Sequence, residues 1–318
     1  GIPVHADRNL LTDILRAEMG FEGLLVTDWR DIVYLHTRHK VAPTVKDAVY
    51  LAINAGIDMS MVPFNTEFID ALIELVEEGL ILETRIDQSV RRILKVKAHL
   101  GLFEQAVHDP KDYPAFGSET HHQLSLETAR ESLVLLKNEE NLLPLDKAIN
   151  LLVCGPAADN RRALNGGWTS SWQGEMAEEG LSSFDTILSA IKKIHTGSLE
   201  YRIGVNYTEE VDFQEAIWKA QEADYIILCL GEDSYTEYRG DIDDLYLSED
   251  QINLALALAA TGKPIILVLA EGRPRLINQF ADQIPAIVGT FYPGPGGAQA
   301  IAELIFGDIN PSGKLPFT

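Results

Sequence analysis

Four stretches in the second half of the chain constrain the fold most: INLLVCG (149–155), ADYIILCLG (223–231), PIILVLA (264–270) and AIVGTF (286–291). Each is a short, nearly continuous apolar run bounded by Gly, Pro or charged residues. A strand with no polar face must be covered on both sides, which is the condition of strands inside an α/β sheet. Segments of helical periodicity lie between them, most clearly Phe213–Ala223 and Glu249–Thr261. Alternation of this kind implies parallel strands joined by helical crossovers. The second half is therefore expected to be an open, doubly wound α/β domain, with its ligand site at the carboxyl ends of the strands.

The first hundred residues show the same alternation, but thinly. Leu10, Leu11, Ile14, Leu15 and Met19 recur at helical spacing up to Gly20, and a strand is expected at 23–27. Ala48, Val49, Leu51, Ala52 and Ile53 predict a helix ending near Gly56. IDMSMV (57–62) reads as a short strand. Helices are then expected over Phe68–Leu80 and along TRIDQSVRRILKVKAHLGLF (84–103), with Gly101 as the stop. Two parallel strands cannot shield their own faces and edges. Residues 1–104 are accordingly expected to be the tail of a larger α/β unit. The terminal NPSGKLPFT, which stops on Phe317-Thr318 just after a turn as if a strand had been cut, gives the same expectation of a fragment. Periodicity breaks over 105–120, where Pro110 and Pro114 fall, so this stretch is read as an interdomain linker. A helix over about 121–137 leads into the second domain, 121–318.

Charge narrows the partners. Against 48 acidic residues there are 26 Lys and Arg, a net charge of −22. Nucleic acid and anionic membrane surfaces would be repelled. No apolar run reaches the roughly 20 residues that cross a bilayer. Cys154 and Cys229 lie in apolar strands and read as small buried side chains. No His or Cys spacing suggests a metal, HTRHK (36–40) reads as a solvated loop, and no G-x-G-x-x-G follows a strand. The residues call for no cofactor.

Three segments carry candidate chemistry. In FEGLLVTDWRD (21–31), an apolar run delivers Asp28 and Trp29 side by side at a strand's end, where α/β barrels place functional groups. A capping aspartate is the plain alternative. The segment 231–250, GEDSYTEYRGDIDDLYLSED, holds eight carboxylates: Glu232, Asp233, Glu237, Asp241, Asp243, Asp244, Glu249 and Asp250. It fails the calcium-loop pattern of Gly at the sixth position and Glu at the twelfth. In NGGWTSSWQGE (165–175), Trp168 or Trp172 on a Gly/Ser-rich loop suits stacking on a sugar or base.

Taken together, GFEGLLVTDW, GGWTSSWQG and GEDSYTEYRGD resemble glycoside hydrolase family 3, in particular its two-domain β-glucosidases and β-glucan exohydrolases. RIDQSVRRILKVKAHLGLF, ARESLVLLKNEENLLPL and NPSGKLPFT resemble family blocks in the same order, so the likeness runs along nearly the whole chain. It implies the C-terminal part of a (β/α)8-type barrel followed by a six-stranded α/β sandwich, with most of the barrel absent and no metal or cofactor required. It implies Asp28 as nucleophile, Glu237 as general acid/base with Glu232 as fallback, and Trp29 and Trp172 as the aromatic pair around the leaving sugar. The implied reaction is retaining hydrolysis of terminal β-D-glucosyl residues from β-glucosides and oligosaccharides. Two carboxyl groups about 5–5.5 Å apart do this through a glycosyl-enzyme. A β-xylosidase or other exo-β-glycosidase is the neighbouring reading, and a non-catalytic carbohydrate-binding protein the alternative of another class. The family also implies a periplasmic or secreted location.

Overall fold

The structure, a computed structural model, describes residues 1–62, 64–105 and 107–317. Ala106, in the expected linker, and Thr318, at the end of NPSGKLPFT, lie outside the described residues. The chain forms two compact units, Gly1–Asp112 and Tyr113–Thr318.

The first unit opens with a helix over Asn9–Glu18 whose turns are wide, closing with Met19 N–H on the Ile14 carbonyl at 2.9 Å. Strand β1 (Val26–Trp29) is followed by α1 (Asp31–Thr37), α2 (Val45–Ala55), β2 (Met59–Met61), α3 (Glu67–Glu77) and α4 (Glu83–His99). β1 and β2 pair in parallel, Val26 opposite Met59 and Trp29 opposite Met61. The strand expected at 23–27 thus begins later, and Asp28 lies within it. The reason is local: the backbone before Val26 is tied to side chains, Leu25 N–H to Asp58 and the Gly23 carbonyl to Arg16. α2 starts in a capping box, Thr44 and Asp47 each accepting from the other's N–H at 3.1 Å. It stops at Gly56, whose φ of +125° a side chain would resist. Leu35, Ala48, Val49, Ala52, Leu75 and Ile81 form the core. Val26, Trp29, Met59 and Met61 stay exposed, so the two-stranded sheet keeps apolar side chains open to solvent.

The second unit runs α5 (Glu119–Ser132), β3 (Val134–Asn138), β4 (Leu151–Cys154), α6 (Ala177–Gly180), α7 (Ile187–Ile194), β5 (Leu199–Arg202), α8 (Phe213–Glu222), β6 (Tyr225–Gly231), α9 (Glu249–Ala259), β7 (Ile265–Ala270), β8 (Ala286–Gly289) and α10 (Gly297–Ile305). Six strands form one sheet in the order β3-β8-β7-β6-β4-β5. The four continuously apolar runs are its interior strands, buried at every position except Tyr225. Its two edges, β3 and β5, differ from the sequence reading. The helix expected over 121–137 ends at Ser132, because Leu133 turns extended and Val134–Asn138 pairs with β8. That pair is antiparallel, a departure from the all-parallel pattern. β5 carries Glu200 and Arg202 and is only partly buried, so it lacks the apolar signature.

Both faces are covered. Leu126, Ala129, Ile187, Ile191 and Ile301 pack with Val153, Ile227 and Val268 on one side. Ala216, Ala220, Leu254 and Leu258 pack with Leu152, Leu228 and Leu267 on the other. Cys154 and Cys229 are free and buried, and burial pushes the Cys154 thiol up to about 12. From β4 the chain steps outward to β5, then crosses back to β6 on the other side of β4. This reversal opens a crevice outside the carboxyl ends of β4 and β6, where ligands bind in sheets of this kind. The two strands lie so close there that a Cβ on Gly155, at φ +100°, would strike the Cys229 carbonyl.

Candidate active-site elements

Asp28 and Trp29 occupy the last two positions of β1, both exposed. Asp28 Oδ1 accepts from the N–H of Trp29 at 2.6 Å. Thr27 points the opposite way and is buried, its hydroxyl accepting from Met61 N–H at 3.1 Å. Alternation along the strand therefore puts the hydroxyl in the packing and the carboxylate outside. The Trp29 indole meets Phe64 edge-on, with centroids 5.7 Å apart. Arg30 then turns the chain into α1 with a φ of +62°.

What holds this strand is Asp58, immediately before β2. Its buried carboxylate accepts from Arg16 Nη2, Arg92 Nη1 and the Ser89 hydroxyl, each at 2.7 Å, and from Leu25 N–H at 3.1 Å; Arg85 stands 3.5 Å away. Burial alone would raise this carboxyl, but the bonds from Ser89, Leu25 and Arg92 outweigh it and keep it below the usual range. Asp58 thus ties the residue before β1 to the opening helix, to α4 and to the start of β2. Sequence reading passed over it, because its partners come from the opening helix and α4.

In the second unit, the loops after β4 and β6 meet at the crevice. Trp172 Nε1 donates to Glu237 Oε1 at 3.2 Å. The Trp172 and Tyr238 rings lie 5.9 Å apart, and the Arg239 guanidinium sits about equally far over both, at 6.0 and 5.7 Å. Glu237 opens a short helical turn, Glu237–Gly240, with φ +54°. Of the two candidate indoles, Trp172 joins the carboxylate. Trp168, also at positive φ, is 68% exposed and contributes its backbone N–H to the Trp172 carbonyl. Beneath these groups Arg162 spans both loops. It donates to the Ser234 hydroxyl at 2.8 Å and the Gln173 carbonyl at 3.1 Å, and pairs with Asp233 at 2.6 Å. Neither Arg162 nor Gln173 was singled out from sequence, although Gln173 sits in the WQG that was.

Glu232, the fallback acid, is held elsewhere. One oxygen accepts from the N–H groups of Gly272 and Arg273, and the other from Arg273 Nε at 3.1 Å and Arg275 Nη1 at 2.7 Å. With both oxygens so occupied it anchors the loop after β7. Its neighbour Glu271 is buried, and burial pushes its carboxyl up to about 7. Among the described residues no group of three or more His, Cys, Asp or Glu side chains could hold a metal, and no helix is long and apolar enough to cross a membrane.

An exposed carboxylate thus lies near the end of β1 in the first unit, and a Glu–Trp pair lies on the loops at the switch point of the six-stranded sheet in the second. Residues 1–96 match the family model described as "Glycosyl hydrolase family 3 N terminal domain", and residues 133–318 the one described as "Glycosyl hydrolase family 3 C-terminal domain". The chain belongs to glycoside hydrolase family 3, and carries the C-terminal part of a (β/α)8-type barrel followed by the α/β sandwich. Among its relatives, a lysosomal beta glucosidase of Dictyostelium discoideum is 38% identical over 100% of this chain and 40% of its own length. A beta-xylosidase of Formosa agariphila is 37% identical over 99% of this chain and 45% of its own. The solved β-glucosidase of Listeria innocua in complex with isofagomine superposes with a TM-score of 0.84 at 28% identity, covering 98% of this chain and 42% of that one. The chain therefore spans less than half the length of these relatives.

Proposed function

We propose that the protein carrying this chain is an exo-acting, retaining β-glycosidase, a β-glucosidase first. The observation that carries this reading is the Trp172 indole bonded to Glu237 at 3.2 Å, which unites a proton donor with a sugar-stacking face. Asp28 attacks the anomeric carbon as the bond to the leaving oxygen breaks, and Glu237 gives that oxygen its proton. Glu237 then takes a proton from water, which attacks the same carbon and releases Asp28. Trp29 and Trp172 are the two indoles assigned to binding the departing sugar. The substrates are β-glucosides and their oligosaccharides. An extracytoplasmic location is supported by the name of the lysosomal relative. We take residues 1–104 as the barrel portion, 105–120 as linker and 121–318 as the sandwich.

The β-xylosidase reading is favoured by the similarity to the Formosa protein. The two differ by one hydroxymethyl group, which a pocket distinguishes by about 10- to 200-fold. Hydrolysis of p-nitrophenyl β-glucoside and β-xyloside by the intact protein separates them. A kcat/KM favouring the glucoside at least tenfold, with the β-anomer released first in an NMR time course, is expected. Preference for the xyloside transfers the assignment, and binding without turnover makes the protein a carbohydrate-binding one.

A further inference from the structure

We propose that Gln173 is a positioning residue that sets the Glu237 carboxylate by latching the loop after β4 to the loop after β6. This rests on Glu237 being the acid/base and adds the group through which it is held. Glu237 adopts a φ of +54°, a region that costs a side-chain-bearing residue on the order of 1–2 kcal/mol. Such a conformation persists where neighbours over-determine it. Here the preceding residue is pinned on both sides by one side chain. Gln173 Oε1 accepts from Thr236 N–H at 3.1 Å, and Gln173 Nε2 donates to the Thr236 carbonyl at 3.1 Å. The carboxamide thus serves Thr236 as a paired strand would, and fixes the peptide plane that leads into Glu237.

Gln173 is itself fixed. It is 9% exposed, and its carbonyl accepts from the Ser234 hydroxyl at 2.7 Å and from Arg162. Its chain neighbour Trp172 bonds the carboxylate. Two consecutive residues therefore hold the two ends of one lever, the peptide before Glu237 and the acid at its tip. The loops touch at backbone level: a Cβ on Gly167 would stand 2.7 Å from the Tyr235 carbonyl. A glutamate has three rotatable bonds, so a small rotation at its root moves the carboxyl by about an ångström, enough to lower a rate on the order of 10²-fold.

The test uses the intact protein and a series of aryl glycosides of graded leaving-group pKa, on the sugar it hydrolyses. Glu237→Ala runs in parallel, and should slow poor leaving groups by roughly 10²–10⁴-fold while sparing the first step of the dinitrophenyl glycoside. Gln173→Met keeps the length and removes both hydrogen bonds. It should steepen the same leaving-group dependence, slowing the poorest substrates about 10- to 100-fold with the dinitrophenyl glycoside near the wild-type rate. Gln173→Glu still accepts from Thr236 N–H but cannot donate to its carbonyl when ionised. It should fall between, and it carries the test should the Met variant not fold. If the Gln173 variants slow every substrate equally, or only lower the melting temperature, the latch is refuted while Glu237 stands. If Glu237→Ala itself shows no leaving-group dependence, the acid assignment fails and the latch falls with it.

Discussion

Replacing Glu271 by Gln should make the protein more stable at alkaline pH, and the size follows from the site. Glu271 directly follows β7 and is 6% exposed; Oε1 accepts from Arg275 N–H at 3.2 Å, while Oε2 has no partner among the described residues. Burial, reinforced by the charge of Glu232 and opposed by Arg275, raises its carboxyl from 4.5 to about 7. Below pH 4.5 both folded and unfolded chains hold the proton, and nothing is lost. Between 4.5 and 7 the unfolded chain has released it and the folded chain has not, so stability falls as pH rises; above 7 the loss is complete. At 1.36 kcal/mol per pKa unit this comes to about 3 kcal/mol. Glutamine does not titrate, and its extra donor, if unbonded, costs about 1 kcal/mol at every pH. Urea denaturation of the intact wild type and variant at pH 4.5, 6 and 8 should therefore show curves that diverge with pH, Glu271→Gln gaining about 3 kcal/mol relative to wild type between the extremes. Parallel curves, or divergence toward acid, would refute the argument that Glu271 is a buried, proton-holding carboxyl.

Four further outcomes are expected. A fluorinated glycoside that traps the glycosyl-enzyme should label Asp28, and peptide mapping that finds the label elsewhere removes it as nucleophile. Trp172→Ala should lower kcat/KM for cellobiose and laminaribiose about fivefold, matching the roughly 1 kcal/mol of an aromatic contact; unchanged hydrolysis would exclude it from sugar binding. Asp58→Ala strips one carboxylate from Arg16, Arg85 and Arg92, and should destabilise by about 3–5 kcal/mol in a denaturation curve; a loss under 1 kcal/mol would mean the strands are anchored otherwise. Purified residues 1–318 should hydrolyse aryl glycosides far more slowly than the intact protein and self-associate on gel filtration, because Val26, Trp29, Met59 and Met61 are exposed on a two-stranded sheet.

The interior of the second unit was legible in sequence because its chemistry is extreme. Leu151–Cys154, Tyr225–Gly231, Ile265–Ala270 and Ala286–Gly289 contain so little polar surface that only a sheet covered on both faces accommodates them. The edges were not legible. Val134–Asn138 continues the apolar rhythm of α5 and becomes a strand only by pairing with β8, and Leu199–Arg202 alternates charges on a half-open edge. In the first unit both strands were found, but the start of β1 was misplaced because Asp58, more than thirty residues on, claims the Leu25 N–H.

The candidate residues divide in the same way. By itself the sequence determined that a carboxylate and an indole end one strand, that a second indole sits on a Gly/Ser-rich loop, and that eight carboxylates crowd the segment 231–250. Chemically those eight are near equivalents, and no spacing ranks them. The family resemblance put Glu237 ahead of Glu232, five residues apart, and the tertiary structure shows how differently the two are held. Arg273 and Arg275, arriving from the loop after β7, occupy both oxygens of the first, while Trp172, arriving from the loop after β4, places one indole N–H on the second. A carboxylate's role depends on the charges and donors within about 4 Å of it, and here those neighbours are brought in by crossovers of the sheet from 41 to 65 residues away along the chain.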